Sequence, residues 1–100
     1  MNKTLQIKLS IIEKNYISIQ KELSSSEISP EKRIELSKKF SSIEQILKKK
    51  KELEKIEKDL INTQELMREE VDTELLELAK EDTLSLKKKK EEEENNLKKL

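Results

Sequence analysis

The chain has 100 residues, with 22 basic side chains, 22 acidic side chains and a net charge of zero. It contains no glycine, cysteine, histidine or tryptophan, and it has one proline. The lack of glycine excludes phosphate-binding loops and dinucleotide fingerprints. The lack of cysteine and histidine excludes disulfides, the usual zinc sites and Ser-His or Cys-His nucleophiles. The composition therefore predicts one soluble, helical, non-enzymatic domain over residues 1–100.

The first predicted element is a helix over residues 3–23. Its apolar side chains recur at alternating spacings of four and three residues, which is the pattern of a heptad seam. These side chains are Leu5, Leu9, Ile12, Tyr16, Ile19 and Leu23. We expect Ile7, Ile11 and Ile17 to widen this seam into the broader apolar face of a globular helix.

A serine-rich loop then leads into a second helix, predicted over residues 30–69. Ser29 is a suitable N-cap, and Pro30 suits the first helical position because its missing N–H costs nothing there. The apolar residues of this helix fall in two frames, the first being Leu36, Phe40, Ile43 and Leu47, and the second Ile46, Leu53, Ile56, Leu60 and Met67. The change of frame predicts a central helix that serves two partner helices.

A third helix is predicted over residues 73–99, after a break at which Asp72 acts as N-cap. The alternative is one bent helix that continues through this segment. The seam of the third helix passes through polar residues near its end and consists of Leu76, Ala79, Thr83, Leu86, Lys90, Glu93, Leu97 and Leu100.

These elements predict an all-α fold, an elongated antiparallel three-helix bundle of helical hairpins on a long central helix. Folding the first helix back on the second places Tyr16 opposite Phe40. Folding the third helix back places Thr83 opposite Leu60 and Leu76 opposite Met67.

The sequence predicts no catalytic, cofactor-binding or metal-ligating residue and no cofactor. Asp72-Thr73-Glu74 resembles a metal motif, but no third ligand stands at a fixed spacing and a helix cap explains it. The aromatic pair Tyr16 and Phe40 fits core packing better than an exposed anchor, since both lie on apolar stripes. The block 87–94, four lysines followed by four glutamates, fits a solvated helix face better than a docking patch.

The charge balance also weakens two further function classes. A nucleic-acid-binding chain should show a basic excess or stripe, whereas here the two signs cancel. No apolar run approaches the roughly 20 residues that span a bilayer, and the N-terminus shows neither a signal peptide nor a transit segment. We therefore expect a cytoplasmic protein that makes no direct nucleic-acid or membrane contact.

Two short segments at fixed spacing resemble a known family. The first, Glu35-Leu36-Ser37-Lys38-Lys39-Phe40, follows Ser29-Pro30-Glu31-Lys32. The second is Asp72-Thr73-Glu74-Leu75-Leu76-Glu77-Leu78-Ala79. Together with the amphipathic start, they resemble the N-terminal domain of a bacterial class I peptide chain release factor of the type that reads UAA and UAG. Thr73 stands where that family usually has proline.

The resemblance implies a non-catalytic domain of a longer protein that acts in translation termination. The implied partners are the stalk base of the large ribosomal subunit and a recycling GTPase factor. In this family the codon-reading motif and the catalytic Gly-Gly-Gln lie in other domains, and this chain has no glycine. The alternative is a free-standing coiled-coil adaptor or homo-oligomer, in which the seams of the first and third helices pair between chains.

Overall fold

The computed structural model describes residues 1–99, and the regular structure within them is helical. The helices are α1 (Lys3–Leu23), α2 (Pro30–Glu69) and α3 (Thr73–Lys98). The prediction of an all-α chain with three helices is confirmed, and α3 ends one residue before the predicted position. The break before Thr73 is present, so a single bent helix through this segment is excluded. Leu100, predicted on the third seam, lies outside the described residues.

The chain forms two compact units, and α2 contributes to both of them. The first unit, Met1–Lys50, contains α1 and the first half of α2. The second unit begins at Lys51 and contains the rest of α2 together with α3. That all 100 residues form one domain stays a prediction.

Local capping explains where each helix begins. The Asn2 side chain accepts a hydrogen bond from the Leu5 N–H at 2.7 Å and caps α1. Ser29 Oγ accepts from the Lys32 N–H at 3.2 Å, directly before Pro30. Asp72 Oδ1 accepts from the N–H groups of the second and third residues of α3. Such side chains satisfy N–H groups that a helix start leaves without an intrahelical partner.

The first unit is an antiparallel hairpin in the predicted register. The rings of Tyr16 and Phe40 are stacked with centroids 4.6 Å apart, which confirms their predicted pairing. Further along the hairpin, Lys50 pairs with Glu13. The buried apolar residues of this unit are Leu5, Leu9 and Leu36, all on predicted seams.

The expectation that Ile7, Ile11 and Ile17 widen the first seam is wrong, because all three side chains are more than half exposed. The reason is geometric. The narrow stripe of residues spaced four and three apart is the part of α1 that is buried, as in a two-stranded coiled coil, and a wider apolar face needs more neighbours to cover it.

The second unit is also an antiparallel hairpin, with Leu53, Leu60, Thr83 and Leu97 buried. Its register differs from the predicted one. Thr83 Oγ1 lies 3.6 Å from Met67 Sδ, although Thr83 was expected opposite Leu60 and Leu76 opposite Met67. Residues 70–72 separate the helices as predicted, so the length of the turn does not account for the offset.

Candidate functional site

The residues between 1 and 99 include no cluster of acidic, histidine or cysteine side chains suited to a metal ion. No helix in this part of the chain has the length and apolar character needed to cross a membrane. Asp72 and Glu74 are not brought together as ligands, since Asp72 caps α3. The prediction that this segment is a helix cap is confirmed. The features that remain to carry a function are the surfaces of the two hairpins.

The aromatic pair belongs to the packing of the first hairpin. Tyr16 and Phe40 are both half-buried and stack at an interplanar angle of 17°. Offset stacking of this kind stabilises by more than the buried area alone. The pair therefore joins α1 to α2, as predicted, and does not form an exposed anchor.

The charged block 87–94 is helical throughout, and one of its lysines lies in the seam of the second hairpin. Lys90 Nζ lies 3.9 Å from Glu57 Oε2 on α2 and 3.9 Å from Glu94 Oε1 on α3. Lys90 keeps about a third of its side chain exposed, so these pairs contribute at most about 1 kcal/mol. The Lys90 ammonium group thus lies near one carboxylate on each of the two helices.

The loop between α1 and α2 is held by hydrogen bonds from Arg33, a residue that the sequence analysis did not single out. Arg33 donates from Nη1 to the Leu23 carbonyl at 2.7 Å and from Nη2 to the Ser25 carbonyl at 2.8 Å. These carbonyls lie at and just after the end of α1, where the helix leaves carbonyl groups without partners. Nothing in the local sequence singles out Arg33, because its partners lie eight and ten residues away.

The turn between α2 and α3 is also held by side chains. Glu70 Oε1 accepts hydrogen bonds from the N–H groups of Val71 and Asp72, at 3.0 and 2.9 Å. Asp72 Oδ1 accepts from the Glu74 N–H at 2.9 Å. Val71 lies between these two carboxylate residues with 92% of its surface exposed. The sequence predicted the Asp72 cap but not the part played by Glu70.

Apolar side chains are exposed on both sides of this turn. Leu66, one turn before the end of α2, is 65% exposed, while Leu75 and Leu78, at the start of α3, are 50% and 57% exposed. Together with Val71, these leucines are exposed within a stretch of 13 residues around the turn. Exposed apolar side chains grouped among polar ones are typical of protein-binding surfaces.

Comparison with protein families gives a match to the PCRF domain over residues 12–100. Comparisons with curated proteins and with solved structures give no significant match. The matched range includes most of α1 and all of α2 and α3, and so both hairpins. From a match of this extent to a helical domain, we conclude that the chain belongs to the PCRF domain family, the N-terminal domain of peptide chain release factors.

Proposed function

We propose that this chain is the ribosome-docking N-terminal domain of a bacterial class I release factor that acts in the cytoplasm at UAA and UAG codons. The observation that carries the proposal is the PCRF match over residues 12–100. The two segments that resemble the UAA- and UAG-reading type, 35–40 and 72–79, both fall within that range.

Within such a factor this chain acts by binding and does no chemistry itself. The family's Gly-Gly-Gln tripeptide cannot occur in a chain without glycine. The role left to two helical hairpins is to position the factor at the base of the large-subunit stalk. The same surface would then affect how a recycling GTPase removes the factor.

The first test is the reading frame downstream of residue 100. We expect it to continue through a codon-reading domain and a Gly-Gly-Gln tripeptide. The continuous protein is then assayed for release of a labelled peptide from ribosomes paused at UAA, UAG or UGA. Release at UAA and UAG but not at UGA is the expected result.

The matched control is the same protein with the glutamine of its Gly-Gly-Gln replaced by alanine, which should bind but release slowly. The proposal is contradicted by a frame that closes directly after residue 100 in the natural gene. Equal release at UGA would contradict the codon assignment and leave the family unchanged.

The alternative function, a coiled-coil adaptor or homo-oligomer, finds no support in the burial of the seams. Leu5 and Leu9 on α1 and Leu97 on α3 are almost fully covered by the chain's own atoms. Pairing these seams between two chains would first have to uncover them. The large apolar side chains that stay exposed lie off the predicted seams.

A further inference from the structure

The seam of the second hairpin contains a buried hydroxyl group among apolar side chains. Thr83 on α3 is 8% exposed, whereas the other buried residues described in this hairpin are leucines. Its Oγ1 donates a hydrogen bond to the Ala79 carbonyl at 2.8 Å and lies 3.6 Å from Met67 Sδ on α2. Valine would fill the same space without needing a partner, so packing alone does not explain the hydroxyl at this position.

Met67 brings to the same seam a group that oxidants attack. The chain has no cysteine and two methionines, so its sulfur chemistry is that of thioethers. Met67 lies in the last part of α2 and is half-buried, so part of the residue stays open to solvent. A small oxidant such as hydrogen peroxide therefore has access to Met67 while the chain is folded.

Oxidation by hydrogen peroxide turns this apolar contact into a polar one. A lone pair of Met67 Sδ attacks one peroxide oxygen, and the S–O bond forms as the O–O bond breaks. The proton of the transferred hydroxyl passes to the leaving hydroxide, which departs as water. Sulfur is thereby oxidised to the sulfoxide and peroxide is reduced. A sulfoxide oxygen in an apolar seam is costly unless a donor meets it.

Thr83 lies where it can supply that donor. Its Oγ1 is 3.6 Å from the sulfur, so an oxygen bonded to the sulfur on this side comes within hydrogen-bond reach after a small rotation of the flexible methionine. The hydroxyl proton turns from the Ala79 carbonyl to the sulfoxide oxygen, and the Ala79 carbonyl keeps the backbone N–H of Thr83. The reduced thioether is only a weak acceptor for the same hydroxyl.

We propose that Met67 is an oxidation site of this chain, and that Thr83 donates a hydrogen bond to its sulfoxide oxygen. This bond keeps the second hairpin folded in the presence of peroxide. Reductases return methionine sulfoxide to methionine, so a chain that stays folded while oxidised can be restored. The inference concerns the seam of the second hairpin and does not depend on the proposed function.

The test compares the stability of the full chain before and after treatment with hydrogen peroxide. Peptide mapping by mass spectrometry shows whether Met67 or Met1 gains oxygen, and urea denaturation followed by circular dichroism gives the folding equilibrium constant. Met67 should be oxidised without urea, and the constant should fall less than about threefold, because the sulfoxide oxygen has a partner. The stability of Met67→Leu should not respond to peroxide, which excludes Met1 as the source of the change.

Thr83→Val separates the hydroxyl group from the volume that it fills. Before oxidation its folding constant should lie within about threefold of that of the unmodified chain, because valine suits an apolar seam. After oxidation the constant should fall about tenfold or more, because the sulfoxide oxygen then lacks a donor. Thr83→Ser keeps the hydroxyl and should respond to peroxide as the unmodified chain does.

The matched control is Thr63→Val in the other helix of the same hairpin. Thr63 lies four residues before Met67 and so shares a helix face with it, and its hydroxyl donates to the Asp59 carbonyl at 2.8 Å. The oxidised control should be as stable, relative to its reduced form, as the unmodified chain. Equal losses for the two valine variants would overturn the assignment of Thr83 as the donor.

Three other results would overturn the proposal. Met67 that gains oxygen only in urea is not an oxidation site of the folded chain. Oxidation that destabilises the unmodified chain as much as Thr83→Val means that Thr83 does not hold the sulfoxide. The infrared S=O stretch should lie at lower frequency in the oxidised unmodified chain than in oxidised Thr83→Val, since a hydrogen bond weakens the S=O bond, and equal frequencies contradict the bond.

Discussion

At the scale of single residues, Arg33 joins the two ends of the loop between α1 and α2. Its guanidinium donates to the carbonyls of Leu23 and Ser25 in a fork that an ammonium group cannot reproduce. We expect Arg33→Lys to lower the free energy of unfolding by about 1 kcal/mol, since hydrogen bonds at an exposed site contribute modestly. Urea denaturation followed by circular dichroism measures this loss.

The same substitution at the other arginine is the control for Arg33. Arg68 lies in the last turn of α2, where lysine keeps the favourable positive charge. Arg68→Lys should change stability by less than about 0.5 kcal/mol. Equal losses for the two variants would mean that the fork at Arg33 adds nothing to stability.

Residue-scale features were predictable from the sequence where their causes are local. Ser29 and Asp72 were identified as caps because a cap acts within three residues of itself. Arg33 was missed because its partners are fixed only once the loop has folded. The burial of Ile7 was wrongly expected because periodicity shows which residues are apolar but not how wide a stripe the neighbours cover.

At the scale of elements, α3 begins with threonine, which favours a helix start less than proline does. Thr73 is the first residue of α3, and Asp72 before it is extended, with φ −77° and ψ 120°. Both conditions suit proline. An N–H at the first helical position has no intrahelical partner, so proline loses nothing by lacking it, and proline favours an extended residue before it. We expect Thr73→Pro to stabilise the chain by about 0.4–1 kcal/mol, measured as a rise in the urea midpoint.

The comparison variant at this position is Thr73→Ala, which removes the same hydroxyl without fixing the backbone. It should change stability by only a few tenths of a kcal/mol. If the proline variant is no more stable than the alanine variant, restricting the backbone at this position brings no gain.

The positions of the helices were predictable because caps, the proline and the spacing of apolar residues can be identified in the sequence. The register of the second hairpin was not predictable in this way. The turn 70–72 has the predicted length, but a seam that repeats every seven residues fits a partner helix at more than one offset. The contact of Thr83 with Met67 shows the resulting offset. The exposure of Leu75 agrees with the predicted seam, because Leu75 lies outside it.

At the scale of the whole molecule, the chain is neutral overall but strongly polarised along its sequence. Residues 65–82, around the turn between α2 and α3, carry a net charge of −6, which the other residues offset with an equal positive excess. The total charge indicated no partner class, because it averages over regions of opposite sign. The candidate surface became recognisable only when the exposure of Val71 and its neighbours was combined with the local charge.

The oligomeric state distinguishes a docking domain from a homo-oligomeric coiled coil. A neutral chain has no net repulsion to keep copies apart, so the expectation rests on burial. Leu9 and Leu97 are about 1% exposed within a single chain, and uncovering a buried leucine costs roughly 1.5–3 kcal/mol. We therefore expect sedimentation equilibrium to give the monomer mass of 11.8 kDa over about a hundredfold range of concentration. A mass near twice that value, falling on dilution, would favour the homo-oligomer.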